Sequence, residues 1–223
     1  MRLQINKKIF IYIILFFLLG TLNNKYILNL KFPKINKIQV SGLDEEESLK
    51  LKKKLNILKT KNLFFLKDTE TKNILESFDE IEDFYVFKRY PHNIEVKIQK
   101  TNLLAMIRKN DKNYYLGSNG KLIKAQDIKN DIPFIFGNYE NEEFLNFYKI
   151  IKNSKFNYKS IKNLFFFPSG RWDIELHSGV LIKLPKENLK DSIFFTIQIL
   201  NDDKFKKATI IDIRQKNQLI INE

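Results

Sequence analysis

The chain has 223 residues, 39 Lys and Arg against 26 Asp and Glu, two His and no Cys, for a formal charge of +13. Apolar residues make up 43% of it and aromatics 13%, too much for a disordered polyelectrolyte. The absence of Cys excludes thiolate nucleophiles, disulfide scaffolds and Cys-ligated metal sites, and two distant His argue against a His-rich metal centre.

The positive charge does not by itself point to nucleic acid. Lys runs through every segment and is interleaved with Asp and Glu. Nucleic-acid binders concentrate their basic residues in a stripe or a recognisable module. Only Ala105, Ala125 and Ala208 are alanines, beside very many Lys, Asn, Ile and Phe. The excess of Lys reads as a compositional bias and a solvated surface, with no nucleic-acid partner.

Ile9 to Leu19 is an unbroken apolar run, and no charge occurs from Ile9 to Asn24. As a helix this stretch spans about 24 Å at about 1.5 Å per residue, against about 30 Å for a bilayer core. A signal-peptide core is therefore a competing reading. No Ala precedes residue 105, so an A-x-A cleavage site is missing, which favours a retained anchor. Lys8 and Lys25 can snorkel to cover the missing length. Arg2, Lys7 and Lys8 precede the run without any acid, so the N-terminus is expected inside and the rest outside. The expected organisation is a tail at 1–8, an anchor at 9–24, a connector at 25–34 and two exported domains at 35–100 and 101–223.

In the first exported domain, Ile35 to Val40 reads as a strand stopped by Ser41-Gly42. Leu51, Leu55 and Leu58 form one face of a helix over Asp44 to Leu58 that opens with acids. Leu63 to Leu66 is an apolar link, and Asp68 is placed to N-cap a second helix carrying Ile74, Leu75 and Phe78. Residues 84–89 and 94–99 alternate as two strands around Pro91-His92-Asn93. The predicted order is β-α-α-β-β.

Beyond residue 100 the pattern turns toward strands. Short strands are expected at Ala105 to Arg108, around Tyr115, around Leu122, at Phe134 to Phe136 and at Ile161 to Phe167. Gly117 to Gly120 signals a hairpin. Phe144, Phe147, Tyr148 and Ile151 define a helix over Glu142 to Asn153. Trp172 to Leu176 and Val180 to Leu184 form a second hairpin around His177-Ser178-Gly179. Leu189, Ile193, Ile197 and Leu200 predict another helix stripe. Ala208 to Arg214 and Gln218 to Ile221 are the last two strands. The fold class is α+β: an N-terminal anchor helix, the β-α-α-β-β module, then a mainly antiparallel β domain with two helices.

Catalytic groups do not assemble in this pattern. His92 and His177 fall in turns, and no Ser occupies a G-x-S-x-G elbow. Asp173 and Glu175 share a face of an exposed strand, which does not make a glycosidase cleft. Asp212 and Arg214 also share a face and suit an ion pair or a recognition surface. Trp172, the only Trp, is expected in the core, with an interface role as the alternative. No enzyme, cofactor or metal is expected.

The order of these features resembles the FtsQ/DivIB-type bacterial cell-division proteins, and residues 35–100 resemble a POTRA domain. Ile38-Gln39-Val40-Ser41-Gly42 is similar to the family's opening I-x-V-x-G strand. Val86 to Pro91 with Asn93 to Val96 is similar to its V-x-R-x-(W/Y)-P hairpin, and Leu116 to Gly120 to its turn. Gly170-Arg171-Trp172 through Gly179 and Leu184, and Ile211-Asp212-Ile213-Arg214, resemble two further strings. Lys100 and Leu103 depart from the family, which often has an acid and a Pro there.

The resemblance implies a non-enzymatic, single-pass inner-membrane scaffold of the division septum. It implies recruitment of membrane division proteins of the FtsB/FtsL type, with other divisome components docking at the POTRA region. The residues themselves suggest how. Little chain follows the last strand, which suits a sheet edge open to strand addition. The expected contact residues are Ile213, Arg214, Gln215, Lys216, Asn217, Gln218, Leu219, Ile220 and Ile221, and the resemblance adds Arg171. A POTRA-bearing envelope protein that chaperones or translocates polypeptides is the alternative within the class. An exported polyanion-binding protein is the alternative outside it.

Overall fold

The computed structural model describes residues 7–22, 33–125, 131–215 and 218–222. The first element is helix α1, Lys7–Leu22. Every large apolar side chain from Ile9 to Leu19 is exposed on it. Its 16 residues fall short of a full span, and no described helix is long and apolar enough to cross a membrane.

The β-α-α-β-β order holds for residues 37–100. It consists of β1 (Lys37–Ser41), α2 (Glu45–Leu55), α3 (Asp68–Glu76), β2 (Ile81–Arg89) and β3 (Asn93–Lys100). The sheet order is β1-β3-β2, with β1 parallel and β2 antiparallel to the central β3. Ile94, Val96 and Ile98 alternate into one face, where Leu51 and Leu55 of α2 and Leu75 of α3 join the same core. Asp44 and Glu47 form a capping box at the start of α2. The α-helix stops at Leu55, so Leu58 is buried from a 3₁₀ turn over Asn56–Thr60. Asp68 is the first residue inside α3, because Lys67 before it is extended and takes the cap position. Gly42 has φ of +100°, and a Cβ there would lie 1.8 Å from the carbonyl oxygen of Ile98. The Gly of the opening motif is thus required by a close backbone approach.

The second module is one nine-stranded mixed sheet in the order β12-β11-β10-β9-β8-β7-β4-β5-β6. Its strands are β4 (Leu103–Lys109), β5 (Lys112–Gly117), β6 (Leu122–Lys124), β7 (Phe134–Phe136) and β8 (Ile161–Phe166). They continue with β9 (Trp172–Leu176), β10 (Leu181–Lys183), β11 (Ile210–Asp212) and β12 (Ile220–Asn222). Most neighbours are antiparallel, but β4–β7, β7–β8 and β10–β11 are parallel. Helices α4 (Asn141–Asn153) and α5 (Leu189–Asn201) share one core with this sheet. Trp172 is 4% exposed and stands among Phe147 at 4.9 Å, Phe166 at 4.8 Å and Tyr139 at 5.7 Å between ring centroids. Its core role is the one observed.

Several local expectations change. The strand over Ala105 to Arg108 is longer and turns at Asn110-Asp111, both with positive φ, into β5. Helix α5 buries Ile193, Thr196 and Ile199, and Leu200 is exposed. Ala208 follows a 3₁₀ turn, so β11 begins only at Ile210. The Gln218 N–H bonds to the Gln215 carbonyl at 3.2 Å, and β12 begins at Ile220.

Gly42→Ala is expected to lower the stability of the first module by at least about 1 kcal/mol, because Ala is strained at positive φ and collides with Ile98. Urea unfolding followed by far-UV circular dichroism checks this.

Candidate functional site

Strand β12 is the outermost strand of the large sheet. Its inner neighbour β11 pairs with it antiparallel, Asp212 opposite Ile220 and Ile211 opposite Ile221. On its other side no described strand pairs with it. Half of its backbone N–H and C=O groups therefore face outward.

Register carries the side chains into two kinds of row. Ile174, Ile182, Ile211 and Ile221 lie opposite one another across β9, β10, β11 and β12. The first three are buried in the core, and Ile221 packs against it. One residue along, Asp173, Lys183, Asp212 and Ile220 form the next row on the opposite face. Charges alternate along it and end at Ile220, which is 56% exposed at the edge.

Two Arg clamp this row. Arg214 holds Asp212 in a fork, Nε to Oδ1 at 2.9 Å and Nη2 to Oδ2 at 2.5 Å, while its backbone N–H reaches Oδ1 at 3.1 Å. Arg171 Nε lies 3.4 Å from Asp173 Oδ1, and its guanidinium sits 4.1 Å from the Phe167 ring centroid. The sequence expectation of an exposed Asp173 is corrected: it is 3% exposed. Burial pushes its carboxyl above the ordinary aspartate value, against Arg171, Arg214 and Lys183. Hydrogen bonds from Arg214 hold Asp212 below that value, against a smaller effect of burial.

Two grooves flank the edge. One, of about 430 Å³, is lined by Ser169, Arg171, Lys186, Asp212, Arg214 and Ile220 among others. The other, of about 670 Å³, runs between α5 and the last turn, with Asp191, Ser192, Phe195, Ile213 and Leu219 on its walls. Pro185, Arg214, Gln215 and Gln218 line both.

The structure therefore gathers Arg171, Arg214, Gln215, Gln218 and Ile220 around one groove and Ile213 and Leu219 in the other. Ile213 is a largely buried wall, only 6% exposed. Lys216 and Asn217 lie outside the described residues. Sequence reasoning missed Ser169, Pro185, Lys186, Asp191, Ser192 and Phe195. The signal for Phe195 was present: Phe194 and Phe195 are adjacent, and both cannot join the stripe that Ile193 starts.

The two aspartates titrate with opposite sign. Asp212, held low, stabilises the fold above the unfolded-state value near 3.8, and that contribution is lost as pH falls through the folded value. Asp173, held high, contributes stability below 3.8 that is lost as pH rises through its folded value. At neutral pH, Asp212→Asn should cost about 1 kcal/mol, a modest figure because Arg214 is partly solvated. Asp173→Asn should cost less or stabilise, and should flatten the decline of stability above 3.8. Denaturant midpoints measured from acid to neutral pH read both effects.

Comparison with known proteins agrees with this architecture. The family model "Cell division protein FtsQ/DivIB, C-terminal" matches residues 105–214, and "POTRA domain, FtsQ-type" matches residues 34–100. Cell division protein FtsQ of Rickettsia bellii is 26% identical over 198 residues, covering 85% of this chain and 72% of the relative. The FtsQ of Rickettsia prowazekii is 23% identical over 197 residues, with the same two coverages. Among solved structures, the major extracytoplasmic domain of the cell-division protein DivIB from Geobacillus stearothermophilus is similar in part. It has 11% identity, a TM-score of 0.35, and coverage of 43% of this chain and 87% of that one. A POTRA module joined to a second module of FtsQ/DivIB type accounts for nearly all the described residues beyond α1, and the chain belongs to the FtsQ/DivIB family of bacterial cell-division proteins.

Proposed function

We propose that this chain is a single-pass membrane scaffold of the division septum whose last strand captures a partner strand of the FtsB/FtsL type. A role in cell division follows from the family, which is one of non-enzymatic division scaffolds with protein partners. The observation that carries the finer reading is the position of β12. It is the outermost described strand, its exposed Ile220 lines one groove, and Gln218 and Leu219 just before it line a second. An incoming strand completes the backbone ladder, which supplies affinity with little demand on sequence. The grooves then select side chains. The groove of about 430 Å³ offers Arg171, Lys186 and Arg214 to an acidic or amide side chain, and that of about 670 Å³ offers Phe195, Ile213 and Leu219 to an apolar one.

Anchoring is the second part of the proposal. Helix α1 exposes a wholly apolar surface from Ile9 to Leu19, which water does not favour and lipid does. Lys7 and Lys8 stand at its start, where positive charge holds that end in the cytoplasm. The shortfall in length is met by thinning of the bilayer and by snorkelling lysines. Everything beyond the anchor then lies outside the cytoplasm and reaches partners at the septum.

Ile220→Pro places a residue without an N–H in the edge strand, where Pro disfavours ladder formation. Pull-down of an FtsB-type segment by the full chain should be lost, while the POTRA module keeps its own unfolding transition. Retention of the segment by Ile220→Pro would rule out strand capture. In spheroplasts, external protease should digest the chain beyond residue 33, and protection of that part would reverse the orientation.

A further inference from the structure

We propose that the POTRA module rests one end on the membrane, through an aromatic and lysine patch that contacts anionic lipid. This rests on the anchor reading above and adds a second point of attachment. The patch is built from elements that meet where the chain arrives from α1. Lys34 bridges to Asn62, the Ile35 N–H bonds to the Lys61 carbonyl at 3.0 Å, and the Asn36 N–H bonds to the His92 carbonyl at 2.8 Å. The loop after the 3₁₀ turn and the β2–β3 turn are thereby fixed beside the point of arrival.

Large apolar groups project from that end. Phe65 is 71% exposed, and Phe64, Tyr90 and Ile57 are more than half exposed or close to it. The Phe64 and Tyr90 rings pack at 4.8 Å between centroids and form an aromatic platform, with Phe65 next to it in the chain. The backbone N–H of Phe64 bonds to Asn62 Oδ1 at 2.8 Å, which holds the loop in this pose. Lysines flank these residues along the chain. Lys34, Lys59 and Lys67 are exposed, and the nearby acids Asp68 and Glu70 are taken up by Lys88 and Lys61. The local field is positive.

The occupant follows from tether and chemistry. Ten residues separate Leu22 from Pro33, a reach of at most about 40 Å at about 3.5 Å per residue. The patch is therefore confined to a shell next to the bilayer. Aromatic rings flanked by Lys are the composition that the headgroup region of a membrane prefers, and anionic lipid matches the positive rim.

The test uses the full chain, which has no Cys of its own, reconstituted in vesicles of phosphatidylcholine with phosphatidylglycerol. A fluorophore is placed on Thr60→Cys beside the patch, or on Ser178→Cys in the β9–β10 turn as a control. Lipid carrying a nitroxide near the headgroup is the quencher. Quenching should be severalfold greater at the first site than at the second. It should fall to the control level with Phe64→Ser and Phe65→Ser combined, and weaken with Lys59→Glu and Lys67→Glu combined or in vesicles without phosphatidylglycerol. A chain that resists carbonate extraction yet shows equal quenching at both sites would overturn the lipid contact and leave the anchor standing. A chain that carbonate releases would overturn the anchor and this proposal together. Quenching that survives the Phe variants, or a dimer that those variants dissolve, would also overturn it.

Discussion

Backbone pairing along the nine-stranded sheet is the constraint on which the second module depends. Each strand of β9 to β12 is short, and three of the four hold only three or so residues in register. Such pieces persist because one row of isoleucines, from Ile174 to Ile221, is buried by α4 and α5 beneath them. The same register throws Asp173, Lys183, Asp212 and Ile220 to the opposite face. A slip of one residue would move the charged row into the apolar core and take the isoleucines out of it, so the core fixes the register and the register builds the site. The edge strand is the place where this pairing stops.

The junction between the modules is polar and specific. Glu82 accepts hydrogen bonds from Thr101 and Ser118, each at 2.7 Å, and Asn119 donates to the carbonyls of Asp79 and Ile81 at 2.9 Å. Lys121 reaches the carbonyls of Glu76 and Phe78 at the end of α3, where the helix dipole favours a cation. Lys100, at a position where the family often has an acid, bonds Asp44 at 2.6 Å and Glu47 at 2.8 Å, tying β3 to the start of α2. The departure at Lys100 is therefore compensated by acids of this chain. These contacts join the end of α3 and the start of β2 to the β5–β6 turn of the second module.

Local chemistry made much of this legible in the sequence. Alternation in β2 and β3, the turn at Pro91 to Asn93 and the helical spacing of Leu51 and Leu55 each depend on near neighbours. Trp172 announced itself as core by its size amid alternating apolar residues. The outermost position of β12 is less legible, since sheet order follows from long-range pairing that no local pattern encodes. In helix α5 the expected stripe holds at Leu189, Ile193 and Ile197, which meet the core, and slips only at its end, where Ile199 is buried in place of Leu200. Asp173 misled because its burial comes from Arg171 and its neighbours across the sheet. The grooves arise where β12, α5 and the segment around Pro185 meet, far apart in sequence.

Amide hydrogen exchange on the full chain, with and without a partner segment of FtsB type, tests strand capture most directly. The account predicts new protection at Ile220 to Asn222, together with Gln215 and Gln218, and little change in the POTRA module. Partner-induced protection confined to the POTRA module, with Ile220 to Asn222 exchanging as before, would contradict it.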